Sequence, residues 1–149
     1  MALIDKISAA IMIAMKEKDT VSLESLRAVK SALLLAQTQK GGSSGVSEEE
    51  EIKILQKLVK QRKESADIYI SQNRTELADV EINQSKIIKG FLPKQMSVSE
   101  IEKIITELII ETGASDMKDM GKIMGMASKK LSGMADGKTI SNIVRAKLS

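Results

Sequence analysis

The last 33 residues of the chain, 117–149, concentrate positive charge. This stretch holds seven Lys and Arg side chains against two Asp side chains, a net charge of +5, while the whole 149-residue chain carries +3. A local cationic surface is typical of a protein that binds a polyanion, most often nucleic acid. The stretch has no aromatic side chain for base stacking, so contacts to phosphate and to nucleic-acid shape are predicted. From charge alone, a solubilising surface is the alternative.

Two glycine-containing stretches invite a catalytic interpretation. Residues 41–45 read GGSSG, similar to the serine-rich stretch of amidase-signature enzymes, but a serine nucleophile of that kind needs a large α/β scaffold. A linker between two helices is predicted there instead. Residues 133–139 read GMADGKT, with three residues between the glycines where a P-loop has four. A helix–turn–helix corner is predicted, and its second helix could receive one phosphate at its N-terminus.

Two charged runs lie on the predicted third helix. Glu48–Glu51 cannot converge on one metal ion, because consecutive helical side chains point about 100° apart, so they are expected to complement the helix dipole. The cations further along are interpreted as a solvated face paired with Glu64 and Asp67, or as a secondary RNA contact. These cations are Lys57, Lys60, Arg62 and Lys63.

A group of methionines near the C-terminus has helical spacing. A core position is predicted for them, with a groove that adapts to a partner as the alternative. They are Met117, Met120, Met124, Met126 and Met134.

The composition excludes several classes of site. The chain has no Cys and no His, which excludes disulfides, thiolate zinc sites, cysteine nucleophiles and imidazole bases. No metal and no cofactor is predicted. The N-terminal apolar run contains Asp5 and Lys6, unlike a signal peptide, and no run approaches the ~20 apolar residues that cross a membrane. A cytoplasmic protein without membrane contact is expected.

Apolar residues recur at helical spacing along the chain and predict an all-α protein. The single proline, Pro93, cannot continue a helix and is the predicted boundary between two domains. Residues 1–92 are predicted to form a four-helix, bundle-like unit of two hairpins. Residues 93–149 are predicted to form a small three-helix unit.

Polar residues predict several helix ends. Ser47 and Glu50 have the spacing of a capping box. Thr20 and Asp136 are predicted N-caps. Gly113 is a predicted C-cap.

Four motifs are spread along most of the chain: LxxLRxVKSAL (23–33), LxKLVKQRKESADIY (55–69), FLPKQMSxxEI (91–101) and GKIMGMASKKLSGMADGKTISNIVRAKL (121–148). Together they resemble the GatB/YqeY family, in particular its stand-alone YqeY-like proteins. The last run is similar to the tail motif of that family, which also forms the C-terminal part of the tRNA-dependent amidotransferase B subunit.

The resemblance implies a function on tRNA. In the glutamine-dependent amidotransferase that corrects misacylated Glu-tRNA(Gln) or Asp-tRNA(Asn), the similar appendage holds the tRNA elbow, and the chemistry lies in other domains and subunits. The family carries a label of carbon–nitrogen ligase activity with glutamine as amido-N-donor, although this chain has no residue set for ATP, Mg²⁺ or glutamine hydrolysis. The candidate RNA-binding residues are Lys122, Lys129, Lys130, Gly133, Gly137, Lys138, Arg145 and Lys147.

Three hypotheses follow. The first is an accessory protein that binds tRNA and has no catalytic site. The second is a helical adaptor that docks on an amidotransferase or an aminoacyl-tRNA synthetase. The third, an amide-forming enzyme in its own right, is the least favoured. A positive face on the last two helices favours the first hypothesis, and an exposed apolar patch favours the second.

Overall fold

A computed structural model describes residues 2–40 and 45–149 of the chain. These ranges contain seven α-helices and no strand, which confirms the all-α fold class. The predicted linker lies outside the described residues except for Gly45. The helices are α1 (Leu3–Glu17), α2 (Thr20–Gln39), α3 (Glu48–Ser71), α4 (Thr75–Lys89), α5 (Val98–Thr112), α6 (Met120–Lys130) and α7 (Gly137–Leu148), with a 3₁₀ turn at Met117–Asp119.

The helices group into two compact units. The N-terminal unit, Met1–Leu92, contains α1 to α4, and the C-terminal unit, Pro93–Ser149, contains α5 to α7. We propose that each unit is a separate domain. Within the described ranges, none of the helices combines the length and the apolar character needed to cross a membrane.

The N-terminal unit is organised around α2. This helix packs against α1, α3 and α4, while α3 lies along α4. The core is aliphatic and takes Ile7 from α1, Val29 from α2, Leu55 from α3 and Ile88 from α4, all essentially inaccessible to solvent. Burial of these side chains, at about 1.5–3 kcal/mol each, is the main stabilising contribution to the unit.

Two helix starts in the N-terminal unit are fixed by carboxylates. The Glu50 N–H donates to Ser47 Oγ at 3.2 Å and the Ser47 N–H donates to Glu50 Oε2 at 3.2 Å, which confirms the predicted capping box of α3. A hydrogen bond from the Lys40 ammonium, followed by the one from Ser47, holds the pKa of Glu50 below its ordinary value. The predicted Thr20 cap of α2 is wrong, because Asp19 accepts the Ser22 N–H at 3.1 Å and Thr20 is already helical.

The C-terminal unit has its own aliphatic core beneath three short helices. Ile105 of α5, Ile123 of α6, Leu131 after α6 and Val144 of α7 are each 0% exposed. Gly113 ends α5 with φ of +70°, a left-handed conformation that glycine adopts without a Cβ clash, so the predicted C-cap is confirmed.

Replacing Ile105 by Ala is expected to destabilise the C-terminal unit by about 2–5 kcal/mol, because truncating a fully buried side chain leaves a cavity. The sole tyrosine, Tyr69, lies in α3, so its fluorescence follows the N-terminal unit, whereas far-UV circular dichroism follows all helices. In a urea titration of the Ile105→Ala variant, part of the dichroism signal should be lost earlier while the Tyr69 transition stays in place. Equal shifts of both signals would contradict the proposal of separate domains.

Candidate nucleic-acid interface

The helices of the C-terminal unit differ sharply in charge. Helices α6 and α7 contain six Lys and Arg residues and no Asp or Glu, whereas α5 contains four Glu residues and one Lys. All of these charged side chains are exposed. The six cations are Lys122, Lys129 and Lys130 on α6 and Lys138, Arg145 and Lys147 on α7.

The six cations of α6 and α7 form no ion pair with any residue that the structure describes. Within residues 2–40 and 45–149, the ion pairs are Lys40–Glu50, Lys53–Glu49 and Arg74–Glu76, and all three lie in the N-terminal unit. Within those same ranges, the six cations of α6 and α7 therefore have no carboxylate within 4.0 Å. Their charge is available to a ligand.

Helix α6 presents two of its lysines on one face. Lys122 and Lys129 are seven positions apart, so at about 100° per residue they point within about 20° of each other. The core residues Ile123 and Ala127 lie on another side of the helix. Lys130 points about 80° away from Lys122 and extends the positive surface sideways.

The backbone between these lysines is open. Gly125 is exposed, and a Cβ built there would meet no atom within 4 Å among the described residues. Packing inside the described structure therefore does not require a glycine at this position. Gly125 itself adds no side chain to the surface between Lys122 and Lys129.

Helix α7 divides its cations between two sides. Lys138 and Arg145 are also seven positions apart and share one face, whereas Lys147 points about 180° from Lys138. The buried residues Ile140 and Val144 anchor α7 to the core. The three predicted cations of α7 therefore do not share one face: Lys138 and Arg145 lie on the same side, and Lys147 lies on another.

The corner between α6 and α7 places the two predicted glycines differently. Gly133 is buried with φ of +77°, so it forms the left-handed turn and does not lie on the surface that the sequence predicted for it. Gly137 is exposed, and no described atom would contact a Cβ there. Asp136 occupies the predicted N-cap position, but within the described residues its side chain accepts no capping hydrogen bond.

The stripe predicted on α3 is smaller than the sequence suggested. Arg62 is half-buried: its Nε donates to Gln84 Oε1 at 3.2 Å and its Nη1 to the Leu58 carbonyl at 3.3 Å. Gln84 Nε2 in turn donates to Glu24 Oε2 at 3.2 Å, so α3, α4 and α2 are joined by one polar chain. Three exposed lysines remain, and among the described residues they form no ion pair with Glu64 or Asp67. They are Lys57, Lys60 and Lys63.

Most of the C-terminal methionines belong to the core. Met120, Met124 and Met126 pack against it and Met134 is half-buried, whereas Met117 is 43% exposed. In the part of the chain that the structure describes, no group of three or more acidic side chains could hold a metal ion. The candidate interface thus combines exposed cations on α6 and α7 with an aliphatic core beneath them.

A comparison with known families shows to which family the chain belongs. The sequence profile described as Yqey-like protein matches residues 4–148. The chain belongs to the YqeY-like family. The resemblance to the GatB/YqeY family is thereby confirmed over nearly the full length.

Several relatives of this YqeY-like chain are partial matches. The E subunit of the Glutamyl-tRNA(Gln) amidotransferase of Thermococcus gammatolerans is 44% identical over 57 residues, which is 36% of this chain and 9% of that protein. The corresponding protein of Thermococcus sibiricus is 42% identical over the same length, again 36% of this chain and 9% of the relative. The chain thus spans about a tenth of these two relatives, which are both E subunits, whereas the sequence resemblance pointed to a B subunit.

A third relative matches over more of the chain. Altered inheritance of mitochondria protein 41 of Clavispora lusitaniae is 30% identical over 117 residues, which is 77% of this chain and 67% of that protein.

Replacing Arg62 by Leu is expected to destabilise the N-terminal unit by about 1–3 kcal/mol, because Gln84 is buried and would lose its hydrogen-bond donor. The matched control is Lys63→Leu, an exposed neighbour whose replacement should change stability by no more than about 0.5 kcal/mol. Urea unfolding followed by Tyr69 fluorescence measures both variants. Equal effects at the two positions would show that the Arg62–Gln84 hydrogen bond contributes nothing.

Proposed function

We propose that this YqeY-like chain is a tRNA-binding accessory protein, associated with a tRNA-dependent amidotransferase and without a catalytic site of its own. The segregation of charge in the C-terminal unit carries this proposal. Six exposed cations without carboxylate partners in the described structure lie on α6 and α7, while α5 is acidic. A polyanion is attracted to the first surface and repelled by the second, so this arrangement orients the ligand as well as binding it.

The primary phosphate contacts are assigned to the two coherent pairs of cations. Lys122 and Lys129 form the pair on α6, and Lys138 and Arg145 form the pair on α7. Lys130 and Lys147 point to other sides of their helices and make peripheral contacts. Gly137, at the exposed start of α7, leaves room for one phosphate close to the backbone.

The kind of nucleic acid follows from what the surface lacks. No aromatic residue occurs between 117 and 149, so single-stranded bases have no stacking platform. Lysines on a helical surface recognise the backbone of a folded RNA by its shape and charge. A structured tRNA fits these requirements, and both amidotransferase relatives are named for a tRNA.

The relatives also support an accessory role in amidotransferase chemistry. The chain matches only a small part of the two amidotransferase proteins, so the proposal gives it the tRNA-holding task and leaves the chemistry to a partner. That partner would be an amidotransferase or an aminoacyl-tRNA synthetase. The lack of Cys and His supports the assignment of catalysis elsewhere.

The three lysines of α3 are proposed as a second, weaker RNA contact. Lys57, Lys60 and Lys63 are exposed on the longest helix of the N-terminal unit. Glu49 lies before them and Glu64 and Asp67 after them on the same helix, and these carboxylates reduce their attraction for phosphate. Removing the three lysines should therefore weaken binding less than removing the same number from α6 and α7.

Fluorescence anisotropy with labelled tRNA over a salt series tests the proposal. The variant Lys122→Ala, Lys129→Ala, Lys138→Ala should bind more weakly, and the slope of log affinity against log salt should fall by about two to three units, because each phosphate contact contributes about 0.7–0.9 to that slope. The matched control, Lys6→Ala, Lys16→Ala, Lys86→Ala, changes the net charge equally but removes exposed lysines of the N-terminal unit.

The control should keep the slope of the unsubstituted protein. If both triple variants showed the same reduction in tRNA affinity and in salt slope, binding would depend on net charge alone and the assigned surface would be wrong. No binding of tRNA by the unsubstituted protein at low salt would contradict the proposed function itself.

A protein adaptor is the second candidate function, because α1 carries exposed apolar side chains. Met12, Ile13 and Met15 each expose more than half of their surface in the C-terminal half of that helix. Exposed apolar surface of this kind favours contact with a protein partner. The tRNA and adaptor functions use different units of the chain, so one does not exclude the other.

A further inference from the structure

The segment that precedes α5 is fastened to the corner between α6 and α7. The Gln95 Nε2 amide donates to the Gly133 carbonyl at 2.6 Å and to the Pro93 carbonyl at 2.8 Å. One residue later, the Met96 N–H donates to the Met134 carbonyl at 2.9 Å. The segment Pro93–Met96 thus forms a strap that holds two consecutive carbonyls of the corner.

The corner that the strap holds sets the spacing of the proposed phosphate contacts. It spans residues 131–136, between the end of α6 at Lys130 and the start of α7 at Gly137. Inside the corner, the Met134 N–H donates to the Leu131 carbonyl at 2.9 Å, and Leu131 is fully buried. Any movement of this corner changes the distance between the cations of α6 and Lys138 on α7.

We propose that Gln95 is a positioning residue of the RNA-binding surface: by holding Gly133 it fixes the α6–α7 corner, and with it Lys138, in the geometry that meets phosphate. This inference rests on the proposed function of the surface. In this role Gln95 acts through the corner and needs no contact of its own with the ligand. The sequence motif that contains it, FLPKQMS, has no charge pattern that the RNA-binding hypothesis alone would explain.

The chemistry of the strap requires an amide at position 95. Both hydrogen bonds of the side chain come from the same NH₂ group, which has two N–H donors for two carbonyls. Methionine has similar length and no donor, so Gln95→Met removes both hydrogen bonds at little change in volume and without a change in charge. A glutamate would add a negative charge beside the basic surface, and that charge would itself change the salt slope of tRNA binding.

A double-mutant cycle with tRNA distinguishes positioning from a general loss of stability. Four full-length proteins are compared: unsubstituted, Gln95→Met, Lys138→Ala and the double variant. Each salt series is measured at a temperature well below the thermal unfolding midpoint of all four proteins. Gln95→Met should weaken tRNA binding roughly threefold to tenfold and lower the salt slope by about one unit, the effect of one phosphate contact. In the Lys138→Ala background, Gln95→Met should lower the tRNA affinity little further, because both changes remove the same contact.

Amide hydrogen exchange provides a readout that does not depend on RNA. In Gln95→Met the Met96 and Met134 amides should exchange faster than in the unsubstituted protein, because both hydrogen bonds belong to the strap and corner. The matched control is Gln72→Met, an exposed glutamine of the N-terminal unit that should change neither exchange nor tRNA affinity.

The outcomes separate the two proposals. If the unsubstituted protein binds tRNA and Gln95→Met binds equally well, the positioning role is overturned while the proposed function stands. Fully additive losses in the cycle, or unchanged exchange at Met96 and Met134, would also overturn it. If the unsubstituted protein binds no tRNA, the proposed function falls and takes the positioning role with it.

Discussion

Six cations without carboxylate partners in the described structure lie on two adjacent helices, and an aliphatic core holds those helices together against their mutual repulsion. Two like charges about 10 Å apart in water repel by a few tenths of a kcal/mol, and salt weakens this further. Burial of one Leu or Ile side chain contributes about 1.5–3 kcal/mol, and Ile123, Leu131 and Val144 are all fully buried beneath α6 and α7. The core therefore outweighs the repulsion and leaves the positive surface free.

This balance links the fold to the proposed function. Small helices with an apolar face inward and cations outward need no carboxylate on their surface to remain folded, because their stability comes from the core. Four of the seven acidic residues of the unit lie on α5, and the other three, Asp116, Asp119 and Asp136, lie between the helices. A surface that keeps its cations unpaired in this way is suited to a ligand that supplies the negative charge, as the phosphates of a tRNA do.

Much of this architecture follows from local sequence. Ser47 and Glu50 predict their capping box because the signal lies within four residues, and Gly113 predicts the end of α5 for the same reason. The shared face of Lys122 and Lys129 also follows from helical periodicity alone. The predicted N-cap of α2, Thr20, is wrong by one position, because the Asp19 carboxylate is a stronger acceptor for the same turn.

Contacts between distant residues were not predictable in the same way. Arg62 looked like a member of the exposed stripe because its partner Gln84 lies 22 residues away on another helix. Gln95 and Gly133 are 38 residues apart, and no periodicity relates them.

The most direct test of the proposed interface is an NMR titration of the isotope-labelled chain with tRNA. We expect backbone amide shifts to concentrate on the outer faces of α6 and α7 and on their corner, around Lys122, Lys129, Gly137 and Lys138. Amides of α5 should move little. Shifts centred on α1 or α5, with α6 and α7 unchanged, would contradict the assignment of the RNA-binding surface to the last two helices.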